Sequence, residues 1–107
     1  MDFQIDYVTV YSTFPSKEEA KAITKVLITE HLAACANLLD KMESIYVWNN
    51  QLEETSEVVC FLKTTLEKSE TLMQRLKELH SYETPCILVL PILNGDKGYL
   101  DWIRNSL

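Results

Sequence analysis

His80, Tyr82 and Glu83 place an imidazole, a phenol and a carboxylate on neighbouring turns of chain, so nitrogen and oxygen donors could meet at one mouth of a fold. Imidazole suits copper, zinc and nickel. The same histidine could instead close a helix and interact with its dipole. The sequence has 2 histidines, His31 and His80. One copy therefore cannot supply several imidazoles, and a tight site needs a cysteine, a carboxylate or a neighbouring subunit. Cys35, Cys60 and Cys86 are too far apart for a local zinc motif. Each is either a small buried hydrophobe or a soft ligand converging from a separate strand. Glu53, Glu54 and Glu57, with Glu43 across a hairpin, could hold a hard cation such as magnesium or calcium, or form a solvated acidic face. Tyr46 and Trp48 could line a ligand groove or pack a protein interface, where aromatic residues are enriched. The 2 glycines, Gly95 and Gly98, cannot build a phosphate-binding loop, and no nucleophile and base stand at a recognisable spacing.

These side chains need elements to hold them. Val8 and Val10 alternate with Tyr7, Thr9 and Tyr11 over residues 6–13, which predicts a first strand. Phe14 and Pro15 end it. Ser16 and Glu19 form a capping-box pattern, in which each side chain would satisfy the other's backbone N–H. The helix that follows carries Ala20, Ile23, Leu27 and His31 on one stripe. Residues 32–39 and 44–48 predict a long second strand interrupted or bulged at residues 40–43. Asn49 and Asn50 suit a tight hairpin turn. The return strand is polar over residues 51–57 and continuously apolar over residues 58–62, as expected where both faces are covered. A second helix from about Lys68 to Leu79 has Leu72, Leu76 and Leu79 at helical spacing. Residues 86–90 form a fourth strand ended by Pro91, and residues 99–107 form a terminal helix with Leu100 and Ile103 turned inward. The order is that of the α+β, ferredoxin-like βαββαβ fold plus a C-terminal helix. The long hairpin, with Tyr46, Trp48 and Leu52, would leave an edge and its rings in water, and a subunit interface is the expected remedy.

The chain has 107 residues, 10 Lys+Arg, 16 Asp+Glu and a net charge of −6. That describes a single domain spanning residues 1–107. The acidic balance opposes nucleic-acid and anionic-membrane partners. Apolar runs such as residues 32–36 and 86–90 fall far below the roughly 20 residues that span a bilayer. Met1, Asp2, Phe3 and Gln4 do not open an export signal, and 3 dispersed cysteines do not suggest a disulfide framework. Both point to a reducing cytoplasm.

Across nearly its whole length the chain resembles the CutA divalent-cation tolerance proteins. The resemblance rests on Ala34, Cys35, Ala36 and Asn37; on Ser44, Ile45, Tyr46 and Trp48; on Glu57 and the Leu62, Lys63, Thr64 strand end. It continues through Lys77, Glu78, Leu79, His80, Tyr82, Glu83 and Pro85 to Tyr99, Leu100 and Trp102. It implies a homotrimer of PII-like architecture held by the long hairpins, a role in the response to copper and other divalent metal ions, and no enzymatic activity. It offers His80 and Glu83 as metal ligands, and Tyr46, Trp48, Tyr82 and Trp102 at a ligand cleft or trimer interface. Members with a proposed copper site carry a cysteine at the position of Ser12 and a histidine pair at those of Leu79 and His80. Only His80 is retained, and a serine hydroxyl is a far poorer copper ligand than a thiolate; Cys86 is the available soft substitute. The alternative is a PII-like structural or signalling scaffold whose acidic hairpin surface meets a protein partner.

Overall fold

In the computed structural model, which describes residues 4–107, the first strand follows from its alternation. β1 (Tyr7–Phe14) sends Val8, Val10, Ser12 and Phe14 to a buried face and Tyr7, Thr9 and Tyr11 to the other. The reading of Met1, Asp2 and Phe3 as no export signal lies outside the described residues. α1 (Lys17–Thr29) begins where Ser16 Oγ accepts the Glu19 N–H at 3.2 Å. Only that half of the expected capping box forms. The Glu19 carboxylate turns instead to Ser81, accepting its N–H at 3.2 Å and its hydroxyl at 2.9 Å. His31 does not extend the helical stripe: it is exposed, beyond the helix end, with φ of 60°.

β2 (Cys35–Trp48) and β3 (Gln51–Thr65) form the long antiparallel hairpin. β2 starts later than expected: residues 32–34 form a connection, whose last residue, Ala34, donates its N–H to the Lys63 carbonyl at 2.8 Å. The bulge falls between Leu39 and Met42, with Lys41 at φ of 64°. Asn49 and Asn50 take φ of 51° and 62°, the pair of positive values that matches a two-residue turn to strand twist. α2 (Leu66–Leu79) begins directly after β3, two residues before the expected start. β4 (Ile87–Ile92) runs through Pro91 instead of stopping there. The strand order β2-β3-β1-β4 explains this, because β4 is an edge strand with one side free of ladder bonds. α3 (Lys97–Asn105) is capped by Asp96, whose carboxylate accepts the Tyr99 N–H at 2.9 Å, so Lys97 and Gly98 belong to its first turn and not to the preceding loop.

This is the expected α+β, ferredoxin-like arrangement, with three helices and a four-stranded antiparallel sheet among the described residues. α1 and α2 cover one face, where Ala20, Ile23, Leu27, Leu72 and Leu76 join Val8, Val10, Phe14, Val58, Cys60 and Leu62 in one core. The opposite face is only partly covered. α3 buries Ile103 there and holds the Arg104 guanidinium 5.2 Å from the centre of the Tyr7 ring. The rest of that face carries the Tyr11 and Phe61 rings, 5.7 Å apart, with Leu88 paired to Tyr11 and Leu90 paired to Thr9. Leu88 and Leu90 are exposed, as is Leu39 on β2. No described helix is long and apolar enough to cross a membrane.

Candidate functional site

His80 follows the last turn of α2, its backbone N–H donating to the Leu76 carbonyl at 3.0 Å. Its chain then turns inward, and the imidazole is fully buried, stacked on the Phe14 ring at 4.7 Å. Nδ1 accepts the Tyr82 N–H at 3.0 Å, which assigns the ring proton to Nε2, and Nε2–H donates to the Thr13 carbonyl at 2.7 Å. Both nitrogens are thus occupied by backbone groups, and the one donor lone pair, on Nδ1, is not free for a metal in this arrangement. The Glu19 carboxylate lies 3.7 Å from Nδ1 and fastens the following residue, Ser81, to the start of α1. The segment from His80 to Tyr82 is therefore locked to β1 and α1.

That lock aims Tyr82. Its hydroxyl donates to Glu57 Oε2 at 3.0 Å, and burial, reinforced by the Glu57 carboxylate, pushes the phenol up to about 12. Tyr82 and Glu57 form one wall of a cleft of about 430 Å³, which Tyr46, Trp48, Glu83 and Cys86 also line. Burial, then the nearby Glu57, raises the Cys86 thiol as well, so at neutral pH it is a thiol and not a thiolate. Of the sequence-derived residues, Tyr46, Trp48, Tyr82 and Glu83 come together here. The expected meeting of His80 with Glu83 does not occur: Glu83 lines the cleft, while the imidazole is turned into the core.

The remaining candidates lie elsewhere. Trp102 stacks on Tyr99, 5.6 Å away, on the exposed side of α3. Glu43 and Glu54 flank a shallow groove along the outer hairpin, apart from Glu57. Among the described residues no three His, Cys, Asp or Glu side chains stand close enough to hold a metal ion. Ser12, at the position of the resemblance's cysteine, is buried and donates its hydroxyl to the Cys86 carbonyl at 2.7 Å. It ties β1 to the start of β4. Cys60 is buried in the core, where desolvation pushes its thiol up to about 12. All three cysteines are free.

Two contributors are not legible from residue type alone. Glu57 reads as one of the outer acidic residues, although it directly precedes the continuous apolar run of β3, the signal that its side chain is drawn into the protein. Glu19 reads as part of its own helix cap, and nothing local in the sequence shows that its carboxylate reaches Ser81.

Comparison with known proteins places the fold. Residues 8–106 match the family model of the CutA1 divalent ion tolerance protein. The divalent-cation tolerance protein CutA of Thermus thermophilus is 42% identical over 97 residues, covering 91% of this chain and 94% of its own. The structure of the periplasmic divalent cation tolerance protein CutA from Archaeoglobus fulgidus superposes with a TM-score of 0.91 at 39% identity, covering 94% of this chain and 97% of that one. CutA1 from Oryza sativa gives a TM-score of 0.92 at 34% identity over 95% of this chain and 94% of its own. A family match over almost every described residue, carried by the same hairpin and helix order, makes this chain a member of the CutA divalent-cation tolerance family.

Proposed function

We propose that the chain is a non-enzymatic divalent-cation tolerance protein that works as a homotrimer and takes up a divalent ion, copper among them, or a small ligand at clefts between subunits. The apolar surface that one copy leaves uncovered carries this reading: Leu52 is 73% exposed and Trp48 54% on the hairpin, and Leu88 is 53% exposed on the open sheet face. Apolar surface of that kind, on a sheet whose edge is the 14-residue β2, is what subunit interfaces cover. The exposed Trp102 is assigned to the same role. Assembly would set the cleft of one copy against side chains of the next, supplying donors that one copy lacks. Glu83 and Glu57 are the carboxylates available to an ion there, with Cys86 beside them; His80 joins only by releasing Thr13 and Tyr82. The absence of catalysis is supported by the Cys86 thiol, which is pushed up, the reverse of an activated nucleophile.

Three free thiols favour the cytoplasm, and cell fractionation decides between that compartment and the periplasm named for the A. fulgidus protein. Native mass spectrometry with and without copper tests the rest in one experiment. A trimer taking up copper in integral, saturable steps is expected. A monomer overturns the assembly, and a trimer that stays bare overturns copper binding.

A further inference from the structure

We propose that the cleft beside the hairpin selects a weakly hydrated organic cation, an alkylammonium or guanidinium compound, over a metal ion coordinated by the protein. The inference rests on that reading of the cleft and takes its small-ligand branch, for which it names the ligand class. Three aromatic side chains, Tyr46, Trp48 and Tyr82, and two carboxylates, Glu57 and Glu83, face it, with no Lys or Arg among the lining residues.

Glu57 is the observation that asks for a cation. It is only 9% exposed, and among the described residues no Lys, Arg or His pairs with it. Its one side-chain hydrogen bond comes from the Tyr82 hydroxyl, at 3.0 Å on Oε2. A buried carboxylate without a counter-charge is costly, and a cation entering the cleft supplies that charge. A metal ion requires four or more donors at short range, and within one copy no three ligating side chains converge among the described residues, so this lining by itself favours an organic cation. An organic cation instead needs a ring face within about 6 Å and an anion nearby. Tyr46, Trp48 and Tyr82 bring three aromatic rings to the lining. Tyr82, a neutral donor to Glu57, becomes more electron-rich through that bond, which strengthens the attraction of its ring for positive charge. The volume, about 430 Å³, lies within the range of small-molecule sites.

Isothermal titration of the assembled wild-type protein with choline, and with its neutral isostere 3,3-dimethyl-1-butanol, isolates the charge at constant shape. Choline is expected to bind saturably with one site per chain, and the isostere at least about tenfold more weakly, the scale of one desolvated cation–π contact. Glu57→Gln, which keeps an acceptor for Tyr82, and Glu83→Gln should each weaken choline several-fold. Equal binding of the two probes, or no binding of choline, overturns the proposal. Native mass spectrometry of the same samples separates this from the assembly: a trimer indifferent to charge removes the cation preference alone, whereas a monomer that still prefers choline removes the trimer and keeps the cleft.

Discussion

Replacing His80 by alanine distinguishes a structural imidazole from a metal ligand. The ring is fully buried, lies 4.7 Å from Phe14 and satisfies two backbone groups, the Thr13 carbonyl and the Tyr82 N–H. Leaving a buried backbone group unpaired costs about 1 to 3 kcal/mol. Removing a buried aromatic ring adds about 2 kcal/mol of lost apolar burial and stacking. Taken at the low end, because water entering the cavity recovers part of the hydrogen bonding, His80→Ala should destabilise the fold by about 4 kcal/mol. The assay is chemical denaturation followed by circular dichroism at one fixed protein concentration, since subunit association makes stability concentration-dependent. His80→Gln, which can still donate to Thr13, should recover part of the loss. A copper titration runs on the same samples. An unchanged denaturation midpoint with copper affinity lost would refute the reasoning, because it would mean that the imidazole stands free to coordinate.

Further consequences follow from the same geometry. Trp48→Asp and, separately, Leu88→Asp place a charge on the proposed contact surfaces and should give monomer or aggregate by size-exclusion chromatography; a trimer that survives both would free those residues from any interface. Cys60, with its thiol pushed up to about 12, should be the last cysteine to react with a thiol reagent at pH 8, and only on unfolding, as read by mass spectrometry of the labelled peptides. Tyr82 has a folded-state value of about 12, above the ordinary 10.0. Its stabilising contribution is therefore complete below pH 10 and lost as pH rises toward about 12, and Tyr82→Phe should flatten that alkaline decline in a pH series of denaturation midpoints. Asn50→Val forces a β-branched residue into φ of 62° and should cost about 1 to 2 kcal/mol by denaturation; no loss would mean that the turn re-forms with another geometry.

The elements were legible because each carries a local signal: the Ser16 cap, the Asn49 and Asn50 turn, the two-residue alternation of β1 and the leucine spacing of α2. Local signals fall short where a distant partner decides. Pro91 stays within β4 because that strand lies at the sheet edge, a fact of pairing order that no residue near Pro91 announces. The early start of α3 had a local signal, Asp96, whose cap reaches Tyr99 and brings Lys97 and Gly98 into the helix. The apolar run of residues 58–62 predicts cover on both faces, and the structure buries Val58, Val59, Cys60 and Leu62 but leaves Phe61 half-buried, because α3 covers only part of the second face and leaves Leu88 and Leu90 exposed.

The site shows the same division more sharply. Residue type suggested that His80 could ligate, but whether its lone pair is available depends on the Tyr82 N–H folding back onto Nδ1. Glu57 reads as one member of a solvated acidic run, but its place in β3 directly before the apolar half of the strand draws it inward and leaves it with a single side-chain hydrogen bond, from Tyr82. The two residues are linked. The imidazole, by accepting from Tyr82, fixes the turn that carries the phenol to Glu57, so the group expected to bind a cation acts as a support for the wall of the cleft. The carboxylate expected to sit in water becomes the charge that a bound cation would neutralise. On this account His80→Ala should weaken ligand binding through displacement of Tyr82, without His80 touching the ligand.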